Sequence, residues 1–168
     1  MSKEFYNYLL KLNEYERKNK YSNSLAVEIK DFEERWSKFT DEFQFPYNEL
    51  LLSLENTILQ IQLLNNSNIV FVGDTIRDND EILLKNITMI ASGDGKPESG
   101  SNILLAIGIL IACMNPNESV EFRNSIFRDL GLFDLKMGFD GTTVRNDFKY
   151  KLNLSQEMGL WFTISRNN

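Results

Sequence analysis

The chain of 168 residues contains no histidine, and this absence excludes several classes of enzyme and metal site. Histidine is the base of Ser–His–Asp and Cys–His catalytic sites and a common ligand of zinc and haem. The single cysteine, Cys113, likewise excludes an internal disulfide and any multi-cysteine metal site. Because Cys113 lies in an apolar run, we expect it to be a small buried hydrophobe rather than a nucleophile.

Basic residues and long apolar runs are also scarce. The chain has 18 Lys and Arg against 24 Asp and Glu, a net charge of −6, which disfavours binding to nucleic acid or to an anionic membrane. The longest apolar run, Ile103–Met114, is shorter than the roughly 20 residues that span a bilayer. Residues 1–20 are charged throughout, unlike a signal peptide. The sequence therefore predicts a cytoplasmic protein without a cofactor or a metal.

Helical periodicity dominates the first third of the chain. Phe5, Leu9 and Leu12 recur at the spacing of one helix face. A second helix is predicted after a Ser24 cap, and a third from Pro46, a residue suited to a first helical turn. The apolar positions of these two helices are Leu25, Ile29, Phe32, Trp36, Phe39 and Phe43, and then Tyr47, Leu50, Leu54, Ile58 and Ile61. Short polar connections between the three helices favour antiparallel packing.

The middle of the chain is less regular. Ile69–Val72 is compatible with a buried strand or with the extended entry to a helix. Asp78 with Glu81 three residues later is typical of a capped helix start, which predicts a fourth helix. The glycine-rich stretch Ser92–Ser101 is predicted to be a loop that ends in a Ser101 cap.

Two further helices are predicted beyond this loop. Ile103–Met114 is apolar on all sides, so we expect it to be surrounded by other elements at the centre of the fold. Asn115 and Pro116 indicate the start of the next helix, and Gly131 its end.

The periodicity changes to two residues near the C-terminus. Residues 148–154 and 160–164 alternate apolar and polar side chains, which predicts an antiparallel hairpin with a turn at 155–159. The predicted fold is therefore mainly α (α+β). It is a single domain of about six helices around the central helix 103–114, with a β-hairpin packed on it. The predicted boundaries are 1–131 for the helical part and 143–165 for the hairpin region.

One short motif suggests an enzyme. The segment 69–78, with Gly73-Asp74 and then Asp78, resembles the last motif of haloacid-dehalogenase-like phosphohydrolases, in which two carboxylates help to hold magnesium. No Asp-x-Asp nucleophile motif precedes it, as that family requires. A degenerate magnesium-dependent phosphohydrolase that uses Asp74 and Asp78 is therefore kept as an alternative.

The negative charge is concentrated in the middle of the sequence. Residues 1–42 carry a net charge of −1 and residues 101–168 are neutral, which leaves −5 for residues 43–100. Such a cluster is either a solvated surface or a binding face for a basic partner. The candidate partner-binding residues are Asp74, Asp78, Asp80, Glu81, Asp94 and Glu98.

The C-terminal third resembles some bacterial immunity proteins of contact-dependent inhibition and polymorphic toxin systems. The resemblance lies in Gly131-Leu-Phe, in Gly141, in Phe148-Lys-Tyr-Lys-Leu and in Met158-Gly-Leu-Trp-Phe-Thr-Ile. It implies a cytoplasmic inhibitor that binds one cognate toxin, often a basic nuclease domain, and covers the toxin's active site.

The leading hypothesis is therefore an immunity-type inhibitor, not an enzyme, whose carboxylates mimic phosphates in a basic cleft. Trp161 or Phe139 are candidate aromatic anchors of the interface. A third interpretation is a helical structural or regulatory subunit that self-associates through its apolar stripes.

Overall fold

The computed structural model describes residues 2–168, including every side chain in that range except those of residues 13–21. The described part contains four α-helices, one short 3-10 helix and eight strands. The helices are α1 (Lys3–Tyr21), α2 (Ile29–Glu42), α3 (Pro97–Met114) and α4 (Val120–Asp129), with the 3-10 helix at Leu132–Asp134. The strands are β1 (Leu50–Glu55), β2 (Ile58–Leu63), β3 (Asn66–Asp78), β4 (Glu81–Leu84), β5 (Asn86–Ala91), β6 (Asp140–Arg145), β7 (Phe148–Ser155) and β8 (Gly159–Arg166).

The strands form one antiparallel sheet in the order β1-β2-β3-β5-β8-β7-β6. The long strand β3 pairs with β5 through Ile69–Val72 and with β4 through Thr75–Asp78, so that β4 and β5 follow one another along its length. The C-terminal hairpin of β7 and β8 is present, as its alternation predicts, and β8 joins it to β5. The prediction of a six-helix bundle is nevertheless wrong, because the fold is an α+β fold dominated by its sheet.

The helix predicted from Pro46 is replaced by the hairpin of β1 and β2. Leu50 and Leu54 are four residues apart, and an even step also keeps side chains on one face of a strand, whereas Ile58, beyond the turn, pairs with Glu55 and lies on the other face of the sheet. The turn lies at Asn56, whose φ of 57° is the left-handed conformation that asparagine tolerates. The apolar spacing therefore fitted both structures, and the turn residue decided between them.

The helix predicted at Asp78 is also a hairpin. Asn79 adopts a φ of 55° and turns β3 back into β4, with Asp78 opposite Glu81. Ile69–Val72, for which strand and helix entry were both open, lies inside β3. The predicted helical region 1–131 therefore contains five of the eight strands of the described chain.

The described helices that pack on the sheet all lie on one of its faces. Trp36 of α2 packs edge-on against Phe71 of β3, with ring centroids 5.2 Å apart. At the end of α3, Asn115 Nδ2 donates a 2.7 Å hydrogen bond to Oη of Tyr150 on β7. The core cluster includes Phe32, Trp36 and Phe39 of α2, the predicted buried stripe of that helix.

Helix α3 is the buried central helix that the apolar run 103–114 predicts. Residues 106–114 are all buried. In the described part of the chain, α3 is the one helix long and apolar enough to cross a membrane, and 56% of that window is buried inside the protein. Here it serves as the core helix between the sheet and α4.

Several helix ends differ from the sequence predictions. Ser24 does not cap α2, which begins at Ile29, because Leu25 and Val27 between them hydrogen-bond to the backbone of Leu84, with Ala26 at a positive φ of 57°. The loop predicted to reach Ser101 ends earlier, since Pro97 starts α3 in the N1 position that suits proline. Helix α4 is capped by Ser119, whose Oγ accepts a hydrogen bond from Phe122 N, and not by Asn115.

Candidate protein-binding surface

The single thiol is not placed for catalysis. Cys113 is fully buried in α3, and this burial raises the pKa of its thiol far above the ordinary value. Its backbone carbonyl accepts a 2.8 Å hydrogen bond from the Arg35 guanidinium, which anchors α2 to α3. Among the described residues, no group of three or more His, Cys, Asp or Glu side chains is arranged to hold a metal ion.

Three of the predicted site residues meet at the β3–β4 hairpin. Asp78 and Glu81 lie opposite each other in the register, and Asp80 lies in the turn between them. Ile76–Asp78 extend beyond the start of β2, whose first residue, Ile58, lies opposite Asp74. The hairpin therefore carries its carboxylates past the edge of the main sheet.

Asp74 lies just below this hairpin, on the face of the sheet away from the helices. Its backbone N–H donates to Asn86 Oδ1 at 3.2 Å, and Asn86 Nδ2 donates to Asp74 Oδ2 at 3.0 Å. This pair of hydrogen bonds fixes the carboxylate beside β5. Glu55 ends β1 opposite Ile58, so two acids flank one exposed isoleucine at this end of the sheet.

Asp94 and Glu98 lie at the opposite end of β3. They follow Ala91, which pairs with Ile69, whereas the hairpin begins at Asp78. Nine residues of extended strand separate Ile69 from Asp78, about 30 Å. The six predicted acids therefore form two groups, one of four around the hairpin and one of two at the start of α3.

The two acidic groups are also built differently. Asp94 Oδ1 accepts a 2.9 Å hydrogen bond from Lys96 N, and Glu98 lies in the first turn of α3, where a helix dipole favours an acid. Both residues thus have local structural roles. Over residues 74–85, four acids face two bases, Arg77 and Lys85, which leaves the larger local excess of negative charge at the hairpin.

The face of the sheet away from the helices is open among the described residues. On the central strands its side chains are exposed or half-buried, and they form rows across the register. One row contains Leu51, Gln62, Val70, Ile90, Trp161, Asn153 and Asp140. A second row contains Glu55, Ile58, Asp74, Asn86, Ser165, Lys149 and Val144. The face is thus acidic near β1 and β3 and basic on β7.

Sequence reasoning missed most of this open face. It identified the half of the face on β7 and β8 through their alternation, but it assigned β1, β2 and β4 to helices. The sequence signal for these strands is an asparagine between two apolar segments, at Asn56 and at Asn79. Asparagine favours turns, and both residues adopt the left-handed conformation in the structure.

The two proposed aromatic anchors have different positions. Trp161 lies on the open face, half-buried, and its Nε1 donates to Met158 O at 3.0 Å. Phe139 packs against the core cluster next to Gly131 and Gly141. Trp161 is therefore available to a partner, whereas Phe139 is mostly engaged by its own chain.

Asp74 and Asp78 are not arranged as a shared magnesium site. They lie four residues apart on one strand, about 13 Å along β3. A magnesium ion binds its oxygen ligands at about 2.1 Å, so one ion does not reach both carboxylates in this arrangement. No family model, curated protein or solved structure matches the chain. A functional proposal therefore depends on the surface of this chain.

Proposed function

We propose that this protein is a binding protein that inhibits a cognate protein toxin, and that a basic cleft of the toxin docks on the β3–β4 hairpin. The observation that carries the proposal is the placement of exposed Asp80 and half-buried Asp78 on one hairpin with exposed Asp74 beneath it, whereas Glu81 is half-buried and one of its carboxylate oxygens is enclosed. Carboxylates in this arrangement offer a nuclease-type cleft a substitute for the phosphates that it binds.

The hairpin is well supported for this role. Leu25 N donates to Leu84 O at 2.8 Å and Leu84 N donates to Val27 O at 2.9 Å, so the segment before α2 pairs with the free side of β4. The backbone under the carboxylates is thereby fixed before a partner arrives. A pre-ordered loop loses less conformational entropy on binding, which favours affinity.

An apolar contact is available next to the carboxylates. Ile58 is 53% exposed and lies between Glu55 and Asp74 on the open face. Interfaces combine such apolar centres with a charged rim, and the charges mainly raise the association rate and the specificity. Lys149 and Lys151 on β7 would repel a basic partner, which restricts its footprint to the β1–β4 half of the face.

The test is capture and neutralisation. The tagged full chain is used to capture partners from its native strain, and it is then co-expressed with the captured protein in a toxicity assay. We expect one basic protein to be retained in a salt-sensitive complex, and its toxicity to be suppressed. Capture of no partner, or of one whose toxicity is unchanged, would contradict the inhibitor proposal.

Two double variants then locate the binding surface. Asp78→Lys with Asp80→Lys reverses charge at the hairpin, and Asp94→Lys with Glu98→Lys makes the same change in charge at the far end of β3. We expect the first pair to abolish neutralisation and the second pair to retain it. If both pairs neutralise equally well, the hairpin is not the docking site, although inhibition through another surface would stand.

A further inference from the structure

The side chain of Arg123, on α4, is buried without a protein acceptor for its guanidinium. The residue is 8% exposed. Among the residues that the structure describes, none accepts a hydrogen bond from this guanidinium or forms an ion pair with it. Its Cζ lies over the ring of Phe43, 5.3 Å from the centroid. Because a buried guanidinium is normally paired with a carboxylate and hydrogen-bonded, this cation lacks an anionic partner.

The guanidinium borders an apolar groove. The groove lies between the end of α2, α3, α4 and the 3-10 helix, and its cavity has a volume of about 520 Å³. We call it the α3–α4 groove. Its walls are mostly apolar and include Phe43, Leu104, Val120, Phe127 and Phe133. The nitrogens of Arg123 are not enclosed by the protein, although the residue is more than nine-tenths buried. The groove is therefore where an anion can reach them.

The charges of the groove favour an anion with a single charge. Arg123 is the one basic residue in the lining of the groove within the described chain. Glu42 also belongs to the lining, but its side chain is exposed, so solvent screens its charge. A phosphate, with a charge near −2, would be repelled by Glu42 and would find no second cation. A carboxylate matches the planar guanidinium, with which it forms two parallel hydrogen bonds.

The apolar surface continues beyond the groove. A second cavity of about 560 Å³ shares Leu104 and Leu132 with it and reaches Met137 and Met158. These two methionines are 64% and 57% exposed. Open apolar surface of this extent is typical of a binding site. A flexible hydrocarbon tail can follow both cavities from one end, whereas a compact ring would fill only one of them.

We propose that the α3–α4 groove binds a fatty acid, with the carboxylate on the guanidinium of Arg123 and the tail over Leu104 and Phe133. The carboxylate supplies the acceptor that Arg123 lacks, and a charge-assisted pair is strong in apolar surroundings. The tail covers side chains that are now exposed to water, and each buried methylene adds hydrophobic free energy. This inference is independent of the proposed function, because the carboxylates of the β3–β4 hairpin do not line the groove.

Titration calorimetry of the full chain with octanoate tests the site. We expect one molecule to bind per chain. Octanol has the same tail without the charge, and acetate has the charge without the tail, so each should bind at least about tenfold more weakly than octanoate. No binding of octanoate would overturn the proposal. Octanol binding as tightly as octanoate would also overturn it, since Arg123 would then have no part in recognition.

Arg123→Gln removes the charge and keeps a long polar side chain. We expect it to weaken octanoate binding about tenfold or more and to leave octanol binding within about twofold. A merely structural role of Arg123 would weaken both ligands equally, and that result would contradict the proposal. Circular dichroism checks the fold of the variant.

A variant at exposed residues tests the same site without changing a buried side chain. Leu104→Glu with Val120→Glu places negative charge on the wall of the groove, where the two residues are 37% and 55% exposed. It should weaken octanoate binding about tenfold or more. The control is Ile58→Glu, an exposed apolar site on β2, which should leave the affinity unchanged. Equal affinity of all three proteins would place the ligand elsewhere and overturn the proposal.

Helix α1 is the competing occupant of the groove. None of residues 2–12 lines the groove or belongs to the core cluster. Leu10→Glu with Leu12→Glu changes two exposed apolar side chains of α1 and should leave octanoate binding within about twofold of the unmodified chain. Binding that appears only in this variant would mean that α1 fills the groove of its own chain, and it would overturn the proposal.

Discussion

Two glycines fix the path of the chain where strands approach each other closely. An added Cβ at Gly73 would lie 2.6 Å from Asn86 O, at the point where β3 passes from β5 to β4. An added Cβ at Gly159 would lie 2.6 Å from Ala91 O, and its φ of 73° is itself unfavourable for other residues. The geometry that supports the hairpin thus depends on a side chain being absent at Gly73.

Alanine at Gly73 should therefore destabilise the fold. We expect Gly73→Ala to lower the free energy of unfolding by about 1–3 kcal/mol, because the clash is with backbone. Urea denaturation monitored by tryptophan fluorescence measures this. Gly100→Ala is the control, since it lies in α3 with nothing within 4 Å of its Cβ, and it should raise stability by up to about 1 kcal/mol. Equal effects of the two variants would contradict the structure.

The stability of the fold should depend on pH through the ionisation of Tyr150. Its side chain is buried between the sheet and α3, and burial raises the pKa of its hydroxyl from 10.0 to about 12, while the hydrogen bond from Asn115 lowers it by less. Between these two values the unfolded chain binds fewer protons than the folded chain. The free energy of unfolding must therefore fall as the pH rises through this window.

A Tyr150→Phe variant tests this alkaline effect. It should show a shallower loss of stability between pH 10 and pH 12 than the unmodified protein, at a cost of about 1 kcal/mol near neutrality for the lost hydrogen bond. Denaturant midpoints measured across this range give the slope. Tyr8→Phe, at a ring that is 60% exposed, should leave the slope unchanged. An unchanged slope for Tyr150→Phe would show that Tyr150 ionises equally in both states.

At the level of elements, the ends of helices and strands are set by a few local contacts. Ser119 Oγ accepts a 3.2 Å hydrogen bond from Phe122 N and begins α4. Ser101, which the sequence marks as a cap, lies inside α3 and is exposed. The difference arises because Pro97 already suits the first turn of α3, so no cap is needed four residues later.

Removal of the Ser119 hydroxyl, which caps α4, should lower the stability of the fold, whereas removal of the Ser101 hydroxyl should not. We expect Ser119→Ala to lower the free energy of unfolding by about 1 kcal/mol, because an N–H of the first turn of α4 loses its acceptor. Ser101→Ala should change stability by less than about 0.5 kcal/mol. Thermal and urea unfolding of both variants provide the comparison, and a larger loss at Ser101 would reverse the assignment.

The sequence predicted some elements well because only one periodicity fitted them. The alternation in β7 and β8 has no helical counterpart, and an all-apolar run such as 103–114 has to be buried whichever elements surround it. Leu50 and Leu54 have a spacing that helix and strand share, so their structure depended on the turn at Asn56, which also places Ile58 on the opposite face of the sheet. The separation of Asp78 from Asp94 depends on pairings distant in sequence, which periodicity does not encode.

At the scale of the whole molecule, the sheet divides the protein into a covered face and an open face. The covered face holds α2, α3 and the core. The open face and the hairpin beyond it carry Asp74, Asp78, Asp80 and Glu81 against two bases, Arg77 and Lys85, whereas Lys149 and Lys151 lie on β7. Because of this asymmetry, the negative charge is concentrated on one half of the molecule. A basic partner is therefore predicted to approach that half.

The association rate of the purified complex, measured as a function of salt, tests this central claim most directly. For the unmodified protein the rate constant should fall steeply with ionic strength. Asp78→Lys with Asp80→Lys should lower it about tenfold or more at low salt and flatten that dependence, while Asp94→Lys with Glu98→Lys should leave it within about twofold. Equal slowing by both pairs would mean that only net charge matters. No slowing by the hairpin pair would mean that the partner binds elsewhere.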